Sequence, residues 1–189
     1  MAVVICTGLV SLDGYIADAN GNFQWALPDE EVHAFVNETE RSVGTVLYGR
    51  RMYEVVKVWD TWDVTSEPRV IQDYALIWRS AKKIVYSSEL SLDEITTSNT
   101  RLERVFDPQV ARTIADTTGR DVSISGPSLA ADAIRAGVVD EYRILIFPVL
   151  VGGGTRFFPD DAYLALELIE QHQFANGVVY LRYSARRPG

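Results

Sequence analysis

Gly49-Arg50-Arg51 follows the apolar run Val43–Tyr48 and opens a helical period carried by Met52, Val55 and Val56. Guanidinium groups at a helix start face the positive end of the helix dipole. Either an anion outweighs that repulsion or the two arginines are simply solvated. Ser87-Ser88 closes the next apolar run, Lys82–Tyr86. Its hydroxyls and N–H groups suit an ordinary turn or, combined with the arginines, a phosphate monoester. Ser125-Gly126-Pro127-Ser128-Leu129 has the form strand, glycine, helix. Pro127 donates no N–H, so Gly126, Ser128 and Leu129 would either hold a pyrophosphate or merely start a helix.

Asp13-Gly14 lies just past the first apolar run. It is a turn dipeptide, or it presents a carboxyl to a substrate as proton donor or hydrogen-bond acceptor. Trp25, Trp59 and Trp62 stand in polar stretches and could wall a flat ring or pack beneath their own loops. Gly152-Gly153-Gly154 permits either close backbone approach or a bulge before Thr155. Other chemistries lack their residues. The chain has no G-x-G-x-x-G, no phosphate-binding G-x-x-x-x-G-K-[ST] and no G-x-S-x-G. His33 and His172 have no metal-ligand spacing, so no metal site is expected, and His33 reads as solvated. The single cysteine, Cys6, excludes an intramolecular disulfide and reads as a small core residue.

These residues need elements to position them, and short β-like runs alternate with helical periods throughout. Ala2–Val10 reads as a buried strand, followed by a long connection from Ser11 to Leu27. Pro28 suits a first helical position, the helix continues over Val32, Phe35, Val36 and Thr39, and Gly44 suits its stop. Helices are expected over Arg69–Arg79, from Asp107 to Gly119, and from Gly126-Pro127 to Gly137. Strands are expected at Val122–Ser125 and Tyr142–Val151. Asn176-Gly177 is a hairpin turn between two C-terminal strands. This order implies one α/β domain over 1–189, with a mainly parallel sheet, flanking helices and an antiparallel C-terminal edge. Ligands of such sheets bind at the carboxyl ends of the strands, which would gather all four junctions into one place.

The chain has 18 basic and 26 acidic residues, a net charge of −8. Nucleic acid and anionic membrane surfaces need clustered cations, so neither is an expected partner. The N-terminus has no cationic leader, and no apolar run reaches the ~18 residues of a membrane span, so a cytoplasmic location is expected.

Three segments occur in family order: Ser11-Leu12-Asp13-Gly14-Tyr15-Ile16-Ala17, Tyr48-Gly49-Arg50-Arg51-Met52-Tyr53-Glu54, and the stretch from Ile124-Ser125-Gly126-Pro127 through Val139-Asp140-Glu141 to Phe147-Pro148-Val149-Leu150-Val151-Gly152-Gly153-Gly154. With them the chain resembles the dihydrofolate-reductase-like family, which includes the C-terminal reductase domain of bacterial riboflavin biosynthesis proteins. The resemblance implies a homodimer using NADPH to reduce a pteridine-like or aminopyrimidine-like substrate. It assigns Gly49, Arg50, Arg51 and the N–H of Met52 to the adenosine-side phosphates, and Ser87 and Ser88 to the 2′-phosphate. Gly126, Ser128 and Leu129 would contact the pyrophosphate. Asp13 would stand near nicotinamide and substrate, with Tyr15 and Trp25 as walls for the ring. The acid that folate reductases carry on their first long helix is not singled out among Glu30, Glu31, Glu38 and Glu40. Met52 and Pro127 depart from the family pattern and leave a second reading open, a nucleotide-binding or dimerisation module without turnover.

Overall fold

The structure is a computed structural model that describes residues 1–186. Its first strand, β1 (Val4–Ser11), is buried on both faces, which explains the unbroken apolar run in its sequence. Val4 and Cys6 pack on one side of the sheet and Ile5 on the other. The connection that follows holds a short strand, β2 (Tyr15–Ala17), and a single 3-10 turn at Gln24–Ala26. Helix α1 (Glu30–Glu40) is capped by Asp29, whose side chain accepts the Val32 N–H at 3.0 Å, so Pro28 stands before the cap rather than inside the helix. Gly44 does not stop that helix either. It lies inside β3 (Val43–Gly49), where a Cβ would come 2.7 Å from Cβ of Arg120.

Helices α2 (Arg50–Val56), α3 (Val58–Thr61) and α4 (Arg69–Ser80) lead to β4 (Lys82–Tyr86). β5 (Thr100–Glu103) was not legible as a strand, since its four residues carry no apolar alternation. Then come α5 (Pro108–Thr118), β6 (Asp121–Ser125), α6 (Pro127–Arg135), β7 (Glu141–Phe147), the two-residue β8 (Thr155–Arg156), β9 (Leu166–Gln173) and β10 (Val179–Ala185). Gly177 closes the last hairpin at φ +88°, as the Asn-Gly pair predicts.

Eight strands form one sheet in the order β5-β4-β3-β6-β1-β7-β10-β9. The pairs from β5 to β7 are parallel, and β10 is antiparallel to both β7 and β9. β2 and β8 form a separate antiparallel pair. One face packs against Ala111 and Ala115 of α5 and Leu129, Ala130, Ala133 and Ile134 of α6. On the other, Tyr53, Val56 and Trp78 cover β3 and β4, and Val32 of α1 meets Leu145, Phe147 and Tyr180. The mainly parallel, two-sided sheet expected from the element order is therefore the fold observed. Cys6 is fully buried as expected, and burial pushes its thiol up to about 12.

His33 is the exception to its expected surface setting. Its ring stands edge-on to Tyr74 with centroids 5.5 Å apart, because α4 packs over that side of α1, and burial lowers its pKa. Glu40, in the last turn of α1, lines a cavity of about 20 Å³ with Tyr48, Tyr74 and Trp78 at the amino end of the sheet. Burial pushes this carboxyl up to about 7 against the opposing attraction of Arg143. A folded-state pKa above the unfolded 4.5 makes a contribution that is complete below pH 4.5 and lost as pH rises through 7. Glu40→Gln should therefore leave the melting temperature near pH 4.5 unchanged and raise stability at pH 8 by on the order of 2–3 kcal/mol. Thermal melts of both proteins across that range check this, and parallel pH curves would reject it.

Candidate functional site

The three phosphate-suited junctions lie on β4, β3 and β6, which are direct neighbours. Gly49 is in register with Tyr86, and Tyr48 with Ser125, so Gly49, Ser87 and Gly126 form a row at the carboxyl ends of the strands. Gly126 has φ +115° and ψ 129°. A Cβ there would lie 3.4 Å from N and 3.6 Å from Cα of Gly49, so two backbones meet where a side chain would intervene. Pro127 occupies the first turn of α6 without sacrificing a helical hydrogen bond. The first intrahelical bond runs from Ala130 N–H to the Gly126 carbonyl at 2.9 Å, leaving the N–H groups of Ser128 and Leu129 at the positive end.

The side chains along this row differ in availability. Arg50 is exposed but engaged, with Nε donating to Glu54 at 3.2 Å and Nη1 to Glu89. Arg51 is exposed and has no ion-pair partner among the described residues. Ser87 is buried, and its Oγ accepts the N–H groups of Glu89 at 3.1 Å and Leu90 at 3.0 Å, closing the turn after β4. Arg104 donates to the carbonyls of Ser87 and Leu90 and braces the same turn. Ser88 is exposed. Met52 packs against the core beneath α2, and Leu129 against the core beneath α6, so both offer the row only their backbone.

Asp13 stands just past β1, which is next to β6 in the sheet. Ser11 Oγ donates to its Oδ1 at 2.6 Å, the Val151 N–H to Oδ1 at 3.2 Å and the Gly152 N–H to Oδ2 at 2.8 Å. Ser11 in turn accepts the Tyr15 N–H at 2.9 Å. The Ser11 hydroxyl, followed by the two backbone donors, holds the Asp13 carboxyl below its usual range. Of donor and acceptor, this arrangement leaves Asp13 as the acceptor. It also ties the loop after β1 to the loop after β7.

Tyr15 lies on β2 opposite Arg156, whose guanidinium stands 5.0 Å from the ring centroid. Trp25 meets Phe147 edge-on at 6.3 Å, and its Nε1 donates to the Asn22 carbonyl at 3.3 Å. Trp59 and Trp62 lie apart from this group. Their carbonyls accept from Arg79 at 2.8 and 2.7 Å, which pins them to the end of α4 as packing residues. Gly154 forms a tight junction at φ +124°, where a Cβ would fall 2.2 Å from the carbonyl oxygen of Ala17. Glu89 and Arg104 escape sequence reasoning because nothing local marks them. Arg50 and Glu89 meet across 39 residues. Ser11 is legible in the sequence, since it opens the junction after the first strand that also carries Asp13.

The chain is similar to several known proteins. A model of the RibD C-terminal domain matches residues 2–180. YyaP of Bacillus subtilis (strain 168) is 30% identical over 182 residues, covering 92% of this chain and 90% of that protein. A putative riboflavin biosynthesis protein from Shewanella sp. PV-4 superposes with a TM-score of 0.75 at 21% identity, over 98% of this chain and 99% of that one. A pyrimidine reductase-like protein from Corynebacterium diphtheriae gives 0.69 at 14% identity, over 99% and 93%. For a diaminohydroxyphosphoribosylaminopyrimidine deaminase/5-amino-6-(5-phosphoribosylamino)uracil reductase from Thermotoga maritima the TM-score is 0.66 at 14% identity, over 98% of this chain but 57% of that one. These structures share the fold, and the sequence match over nearly the whole chain shows that the protein belongs to the RibD C-terminal domain family.

Proposed function

We propose that the protein is an NADPH-dependent reductase acting on a small pteridine-like or aminopyrimidine-like heterocycle. The observation that carries this reading is the row of Gly49, Ser87 and Gly126 on three hydrogen-bonded strands, with Asp13 one strand away. The cofactor supplies the hydride when bound. The glycine contact between Gly126 and Gly49 provides a cradle that a side chain would fill, and the N–H groups of Gly126, Ser128 and Leu129 face a pyrophosphate there. Gly49, Arg50, Arg51 and the Met52 N–H hold the adenosine-side phosphates. Arg51 is exposed and has no competing ion-pair partner among the described residues. Ser88 offers an exposed hydroxyl to the 2′-phosphate, while Ser87 shapes the turn that presents it. Asp13 accepts hydrogen bonds and holds two loops together, and Tyr15 and Trp25 flank the place of the heterocycle.

Thermal unfolding with saturating NADPH and with saturating NADH tests the cofactor assignment. A ligand at about 100 times its dissociation constant adds roughly 2.7 kcal/mol, or some 5–10 °C at this chain length. Arg51→Ala should reduce both shifts and Ser88→Ala the NADPH shift alone, and an Arg51→Ala variant that keeps both shifts in full would sink the phosphate assignment.

The occupied Arg50 and Ser87 side chains favour the second reading, a nucleotide-binding module without turnover. NADPH binding without NADPH consumption across a panel of pterins and aminopyrimidines would select it. A second copy of the chain is the protein partner we propose. The edge strand β9 leaves Leu168 and Ile169 about half exposed, at 49% and 48%. Sedimentation at micromolar concentration should give twice the chain mass, and Leu168→Lys should return it to one.

A further inference from the structure

Charge is divided along the sheet in a way the net value hides. Residues 1–40 contain no Lys or Arg, residues 144–181 contain only Arg156, and these two segments together hold eleven acidic residues. They build β1, β2, α1, β8, β9 and the carboxyl end of β7. Residues 41–140, which build β3 to β6 and α2 to α6, hold thirteen basic residues against fourteen acidic. The sheet order puts β5-β4-β3-β6 on one side and β1-β7-β10-β9 on the other, where Arg143 of β7 and Arg182 of β10 both pair with Glu141 at the amino end of β7.

At the carboxyl ends of the strands the contrast is sharp. The first half presents Arg51, together with Arg50 paired to Glu54 and Glu89. The second presents the Asp13 carboxylate and the acidic start of α1, which is held at this end by Asn176 Nδ2 donating to Asp29 at 2.7 Å and Ala175 N–H donating to Glu31 at 3.3 Å. Among the described residues Arg156 is the one cation here, and it is stacked on Tyr15 and paired with Asp160 at 3.4 Å. The surface between these acids is apolar. Leu12, Leu27 and Leu150 are 65%, 66% and 70% exposed, and the Leu12 N–H bonds the Val149 carbonyl at 2.9 Å, which brings the two loops side by side.

A phosphate ester brings close to two negative charges that need cationic or N–H partners, and like charges facing each other exclude a wrong ligand. We infer that the β1–β7 side takes a flat heterocycle that is neutral or cationic and carries no phosphate, an inference that rests on the reductase reading for where substrate binds. The anion-binding capacity of the protein is then reserved for the cofactor on the β3–β6 side.

Calorimetric titration of the full chain, with and without NADPH, using a ribosylated aminopyrimidine and its 5′-monophosphate tests this. The nucleoside should bind at least ~10-fold more tightly than the monoester, and added salt should weaken that preference by screening the repulsion. Leu150→Arg should raise monoester binding relative to the nucleoside ~10-fold. A monoester that binds equally or better overturns the inference, as does absence of binding by both. Failure of the reductase reading is a separate result. It appears as no thermal shift with NADPH, whatever the ratio of the two heterocycles.

Discussion

Gly154→Ala should lower the melting temperature by ~5–15 °C, corresponding to a loss of ~2–4 kcal/mol. Two causes add. Gly154 has φ +124°, a conformation that side-chain-bearing residues rarely adopt, and a Cβ at this position would lie 2.2 Å from the Ala17 carbonyl oxygen and 2.4 Å from the Asp18 carbonyl carbon. These neighbours are backbone, so no rotamer change relieves the overlap, and the β2–β8 pair must separate. Gly153→Ala provides the control. Gly153 has an ordinary φ and open space where its Cβ would be, so its melting temperature should stay within ~1 °C of the parent. Similar melting temperatures for the two variants would show that the loop relaxes freely and that the close approach is not structural.

Asp13→Asn should reduce turnover by ~100-fold while leaving the NADPH-induced thermal shift unchanged. The amide keeps one acceptor oxygen but replaces the other with a donor. Either the Gly152 N–H at 2.8 Å or the Ser11 and Val151 donors at 2.6 and 3.2 Å then lose their partner. The loops after β1 and β7 would separate at the place where the heterocycle sits in the proposed reaction. A positional shift of about 1 Å can cost on the order of 10²-fold in rate, which sets the expected size. Because the Asp13 pKa is lowered, its contribution is present above the ordinary carboxylate range and is lost only as pH falls below it. Activity limited by this group should therefore hold constant from neutral pH down to mildly acidic pH. A rate equal to the parent's would remove Asp13 from the mechanism. A parallel loss of NADPH binding would recast it as a residue of the whole fold.

Glu40, a carboxyl whose pKa is strongly raised by burial, belongs to structure rather than to the site. It lies at the amino ends of the strands beside Val43 and Ala81, opposite the glycine row. A perturbed acid marks a functional place only when it sits where ligands can reach it. The same holds for Lys83, whose Nζ donates to the Trp78 and Ala81 carbonyls at 3.0 and 2.9 Å and closes the end of α4. Its pKa, lowered to about 8 by burial, reflects packing over the Trp78 ring.

Local chemistry alone determined the sheet class, the helices and the placement of glycines at the strand ends. Apolar runs such as Val4–Cys6 need burial on two faces, the Asn176-Gly177 pair needs a primed turn, and a strand followed by glycine and a helix has few geometries. These are properties of neighbouring residues, so they can be read along the chain. Tertiary structure decided which members of each motif are available. Gly152 comes to Asp13 across 139 residues and Glu89 to Arg50 across 39, and each contact occupies a group whose type suggested a ligand. Gly44 became a strand residue under Arg120, and Thr100–Glu103 became an edge strand because β4 offered it a ladder. Hydrogen bonds and close backbone contacts between distant segments have no period in sequence. They exist only once the sheet has brought those segments together.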